Sequence, residues 1–207
     1  VVVAFWKEEP QLSRAFDGLS ATDVTVVPLF ISTGYFVQEV IPREMRLNGG
    51  LSMVDGRTVR YTDPIGAHPA LAEVVAQRAV EAGAGQSEAV ALLGHGTARN
   101  SNSERNVFAR AEEVAARGTF AEVTAVFLDQ EPNMRDVFDR VCAETVVMVP
   151  FFVADGWHVG ETIPEELALE GPETRRAGRR LRYTAPVGTH PAMADVILEL
   201  ARGAAHW

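Results

Sequence analysis

Three residues in the second half of the chain carry side chains suited to proton or metal chemistry. They are His95 in "LLGHGTARNSN", Glu131 in "FLDQEP" and His158 in "PFFVADGWHVGETIP". Each follows a short apolar run that reads as a β-strand, and ligands of open parallel sheets bind beyond the carboxyl ends of the strands. Each residue also has a plainer reading of its own. A histidine between glycines often caps a turn, a glutamate before proline often serves helix-entry electrostatics, and His158 beside Trp157 suits a packed aromatic edge. Their coincidence at neighbouring strand ends favours one shared site.

Other chemistries lack their signatures. There is no GxxxxGK[ST] or GxGxxG loop for nucleotides, no GxSxG elbow for a serine hydrolase, and no CxxC or HExxH spacing for zinc. A histidine phosphatase would place an arginine immediately before the histidine, where Gly94 stands.

The elements that must position these residues occur twice. Glu9 falls on Glu131, Pro28 on Pro150, Gly34 on Gly156, Pro42 on Pro164 and His68 on His190, every pair 122 positions apart without a gap. One position breaks the pattern chemically, because Phe36 stands where the second copy has His158. A period this long marks duplication of a whole small domain, not a solenoid. The expected domains are 1–85 and 86–207, joined by "EAGAGQSE".

The second copy reads as strand 88–94, helix 104–117, strand 122–128, helix 132–142, strand 145–152, a short helix near 161–168, strand 180–184 and helix 191–203. Short apolar runs alternating with amphipathic patterns predict a parallel sheet covered on both faces, with about four strands here and fewer in the first copy. The first copy begins at its second strand, so a counterpart of the GHG loop would fall before Val1. An N-terminal strand and helix are therefore expected to be absent from this sequence. His68 and His190 recur in matching "HP" pairs, which favours a structural role. Cys142 reads as a small core residue, and "RRAGRR", Arg175 to Arg180, as an exposed mobile loop.

The 207 residues, 47% hydrophobic and 23% charged, suffice for a buried core. A formal charge of -9 argues against nucleic acid or an anionic membrane as partner. A single cysteine excludes an intramolecular disulfide and fits a reducing compartment. No apolar run reaches the ~18 residues of a membrane span, and no signal-peptide pattern is present, so a cytoplasmic location is expected.

Taken together, "LLGHGTARNSN", "FLDQEP" and "PFFVADGWHVGETIP" resemble the CbiX-type sirohydrochlorin chelatases, class II chelatases related to ferrochelatase. The resemblance implies two tandem flavodoxin-like α/β lobes, each a parallel sheet flanked by helices, with a cleft between them. It implies insertion of Co2+ or Fe2+ into sirohydrochlorin or a related tetrapyrrole, in cobalamin or siroheme biosynthesis. No tightly bound cofactor is expected, the metal being a substrate. By position, His95 and His158 match the family's metal-handling histidines and Glu131 its active-site acid, all three as catalytic and metal-binding residues. Arg99 and Arg105 are candidates to hold the substrate's carboxylates, and Phe36 to form a wall against the macrocycle. A monomer fits, because the repeat supplies both lobes. The competing reading is a non-catalytic tetrapyrrole or metal carrier, or a degenerate chelatase-like lobe pair of a larger enzyme.

Overall fold

A computed structural model describes residues 1–96, 101–176 and 178–204, with residues 101 and 102 described through their backbone alone. Eight strands and five α-helices follow one another along the described chain. The strands are β1 (Asp23–Val26), β2 (Leu51–Val54), β3 (Arg57–Tyr61), β4 (Ala89–Gly94), β5 (Glu122–Phe127), β6 (Thr145–Pro150), β7 (Glu173–Arg176) and β8 (Arg179–Tyr183). The helices are α1 (Ile41–Met45), α2 (Ala70–Glu81), α3 (Ser101–Ala115), α4 (Ile163–Glu166) and α5 (Met193–Ala204). No described helix is long and apolar enough to cross a membrane.

The chain divides into two compact units, Val1–His68 with Ile197–Trp207, and Pro69–Val196. In the first, the strand order is β1-β3-β2, with β1 parallel and β2 antiparallel to β3. Phe16, Ile41, Met45, Leu47, Val54 and Val59 form its core. In the second, the order is β5-β4-β6-β8-β7, parallel throughout except for the edge strand β7. All six residues of β4 and of β6 are buried, as expected of parallel strands covered on both faces. One face lies under α2 and α3. On the other, Ala91, Leu93, Val126, Leu128, Val146 and Met148 pack with Met134, Val137, Ile163 and Leu167.

The element-by-element correspondence follows the 122-residue spacing, from the turns at Phe36–Val40 and His158–Thr162 to the hairpins β2–β3 and β7–β8. The packing units do not follow the repeat boundary. The helix α2 ends the first copy in sequence yet packs with β6 and α3, and the chain from Ile197 onward belongs with the first unit. Each HP histidine meets a glutamate of such a helix: His190 Nε2 lies 3.3 Å from Glu81, and His68 Nε2 lies 3.6 Å from Glu199. The Ala192 N–H donates to His190 Nδ1 over 3.1 Å, leaving Nε2 to donate to Glu81.

Four local expectations are corrected. The sheets have five and three strands, because the segments before β8 and β3 fold back as antiparallel edges. The arginine run is therefore no loop, since Arg175 and Arg176 pair with Arg180 and Arg179 across the β7–β8 hairpin. Arg179 is half-buried and donates to the carbonyls of Phe138, Val141 and Ala143, tying the hairpin to the segment that precedes β6. The expected helix 132–142 shrinks to a 3-10 turn, Met134–Asp139. Asp136 leaves helical angles, and the Glu122 carboxylate accepts the N–H groups of Cys142 and Ala143 in place of a helix carbonyl. Cys142 is exposed, not a core residue.

Two residues, Gly188 and Tyr183, fix the loop that follows β6. The backbone of Val153 passes so close to Gly188 that a Cβ there would lie 1.9 Å from the Val153 carbonyl oxygen. The Gly188 N–H also donates to Phe152 O over 2.9 Å. Further on, the Tyr183 hydroxyl donates to Val159 O over 3.1 Å. Burial raises the Tyr183 phenol well above its ordinary value, so it stays a donor.

Gly188→Ala is expected to cost at least about 3 kcal/mol, because the obstacle is backbone that cannot rotate away, and a urea midpoint within error of wild type would contradict the close approach. Tyr183→Phe should cost about 1 kcal/mol for the lost bond. The raised phenol stabilises the fold fully below the ordinary tyrosine value near 10, and that stability is lost as pH rises above it. Tyr183→Phe should accordingly flatten the alkaline limb of a stability-against-pH curve.

Candidate functional site

The central strand β4 lies between β5 and β6, all three parallel, so their carboxyl ends share one edge of the sheet. The backbone ladder runs on past the strands. Leu128 N–H donates to Gly94 O over 3.1 Å, Asp129 N–H to His95 O over 2.9 Å, and Phe151 N–H to Leu93 O over 2.8 Å. These bonds set His95, Asp129 and the start of the loop after β6 side by side before any side chain interacts.

His95 leaves the sheet directly after β4. Gly96 turns the chain away with φ of +75°, a conformation that disfavours a side chain, and a Cβ there would lie 2.6 Å from Gln130. His158 arrives by another device. Residues His158–Thr162 form a single π turn that passes into α4. Pro164 has no N–H to return to Gly160, so the helical ladder is already interrupted where the winding changes. Wide turns of this kind occur often at functional sites.

The two imidazoles meet with ring centroids 4.8 Å apart and planes at 84°. Both histidines are exposed. The Asp129 carboxylate lies 3.2 Å from His95 Nδ1, and Gly96 O lies 3.0 Å from the same nitrogen. Two acceptors facing Nδ1 favour a proton on that nitrogen and leave Nε2 free as a donor atom for a metal ion. Half-buried Phe152 stands behind, its ring centroid 6.2 Å from that of His95.

Glu131 sits at the same strand end and is exposed, but its carboxylate accepts the Asn133 N–H over 3.0 Å. Among the described residues, no three His, Cys, Asp or Glu side chains are grouped closely enough to hold a metal ion. The structure thus brings His95 and His158 together and adds Asp129, which the sequence reading passed over for the second acid of "FLDQEP". The signal was present, since buried Leu128 faces the core and the next residue must face away from it. Arg105 is exposed near the start of α3. Arg99 lies outside the described residues.

The first unit shows the same local frame with different chemistry. The counterparts of Asp129, Phe152 and His158 are Lys7, Phe30 and Phe36. Phe36 packs edge-on against Trp6 at 4.9 Å and Tyr35 at 5.9 Å, and stacks on Phe30 at 6.1 Å.

Among known proteins, a probable sirohydrochlorin cobaltochelatase of Halobacterium salinarum is 38% identical, over 97% of this chain and 78% of the relative. A multi-domain protein of Deinococcus radiodurans, described as structurally similar to chelatases, superposes with a TM-score of 0.80 at 33% identity. That match covers 96% of this chain but only 44% of the larger protein. SirB of Bacillus subtilis, solved with Fe3+, shares the fold with a TM-score of 0.76 at 24% identity, covering 96% of this chain and 79% of SirB. The family model for CbiX matches residues 1–82 and 89–204. With both halves matched by the family model, and a 38% identical relative aligned over 97% of this chain, the chain belongs to the CbiX family.

Proposed function

We propose that this chain inserts Co2+ or Fe2+ into sirohydrochlorin, with His95 and His158 receiving the metal. The observation that carries the reading is the histidine pair, 4.8 Å apart at the carboxyl edge of a parallel sheet. Membership of the CbiX family and the cobaltochelatase relative supply the substrate class.

Metallation removes two pyrrole protons for each divalent ion that enters, so the site must deliver a metal and accept protons. Neutral imidazole suits Co2+ and Fe2+. In this reading, the Nε2 of His95 and a ring nitrogen of His158 hold the ion, while Asp129 fixes the His95 ring through Nδ1. Glu131, exposed at the same strand end, is the proposed acceptor for departing protons, acting directly or through water. Sirohydrochlorin carries eight carboxylates, for which Arg105 and Arg99 are proposed partners. The 122-residue register belongs to the same proposal, with 1–85 and 86–207 as two copies of one domain. The second keeps the metal-handling groups.

A metal-by-metal absorbance assay with sirohydrochlorin tests the reading. Wild type should accelerate spectral conversion with Co2+ or Fe2+, whereas binding without acceleration would mark a carrier. His95→Ala should abolish metallation, and Asp129→Ala should reduce it about 10- to 100-fold, the usual scale for a residue that orients a metal ligand. His158→Phe copies the chain's own first half and replaces an exposed side chain. It should lose metallation while shifting stability by no more than about 0.5 kcal/mol, and an unchanged rate would remove His158 from the site.

A further inference from the structure

Trp157, the neighbour of His158, is 73% accessible, more than any other aromatic residue among those described. Such exposure excludes a packing role, since a large indole contributes to stability only by leaving water. Its backbone already has the helical angles of the π turn, φ of −48° and ψ of −44°, so the indole is carried by the same turn that presents the imidazole. The equivalent position in the first copy is Tyr35, 62% accessible. An exposed aromatic ring is thus retained at this place in both copies, although the following residue changes from histidine to phenylalanine. Its presence does not depend on a metal ligand beside it.

Charge narrows the choice of occupant. Asp155 and Glu161 flank Trp157 on the same segment, and both are exposed. An anionic rim is repelled there, whereas the apolar face of a planar ring is not. We propose that Trp157 is a substrate-binding residue whose indole lies against the face of the tetrapyrrole, next to the metal held by His95 and His158. This inference rests on the chelatase reading above, which it deepens by assigning the residue that meets the ring.

Titration of metal-free sirohydrochlorin into the full chain, followed by the pigment's absorbance, tests both levels separately. Trp157→Ala should weaken binding about tenfold, the scale of a lost aromatic stack, with Trp157→Phe recovering most of it. Co2+ affinity without pigment should be unchanged, and KM for sirohydrochlorin should rise while kcat holds. If wild type fails to bind the pigment, the chelatase reading falls and this inference with it. If wild type binds and Trp157→Ala binds equally well, only the inference falls. A parallel loss of Co2+ affinity would also overturn it, by showing that Trp157 acts through the placement of His158.

Discussion

The backbone ladder that continues beyond the carboxyl end of β4 is the constraint on which the candidate site depends. Three N–H groups, of Leu128, Asp129 and Phe151, find their acceptors on Gly94, His95 and Leu93. Buried amide groups need such partners, so neither the loop after β5 nor the loop after β6 is free to leave the central strand. Side-chain chemistry is then a consequence of register. A residue two places beyond β5 must stand beside a residue one place beyond β4, and Asp129 meets His95 for that reason. The histidine after β6 lies further along its loop and needs additional anchoring, which Gly188 and Tyr183 provide through Val153, Phe152 and Val159.

The first copy separates the frame from the chemistry. Its tyrosine, Tyr61, donates to Val37 O over 2.7 Å as Tyr183 does to Val159 O, and Gly66 meets Ile31 as Gly188 meets Val153. The π turn is retained as well. What differs is a handful of tips, where Lys7 and Phe36 stand in place of Asp129 and His158. Phe36 is accommodated by aromatic neighbours rather than by a polar partner. The turn geometry therefore does not require histidine, and an imidazole kept exposed in the second copy calls for an explanation outside packing.

Much of this was legible in the sequence because apolar periodicity and the internal repeat report on burial, which dominates the choice of element. The strand positions of β4, β5 and β6 and the convergence of His95 and His158 followed from those runs. The arginine hairpin did not, because four arginines look like a solvated loop, and only the tertiary structure supplies the carbonyls that Arg179 satisfies. The 132–142 helix failed for a related reason. Glu122, distant in sequence, takes the N–H groups of Cys142 and Ala143, and a local pattern cannot anticipate a capping group twenty residues away. Asp129 was missed because motif reading favoured the acid next to proline over the acid that the strand register aims at His95.

The modest character of the proposed metal site bears on its task. Two exposed imidazoles with one carboxylate behind them would bind a divalent ion less firmly than a closed set of four ligands, and no third ligand group is gathered among the described residues. A structural or storage site gains from tight coordination, because it must not release its ion. A site that passes an ion to four ring nitrogens has the opposite requirement, since every additional protein ligand would have to be broken during transfer. Open coordination positions also let the ring nitrogens bind before the imidazoles leave. In the proposed chelatase, a pair such as His95 and His158 therefore suits delivery better than retention.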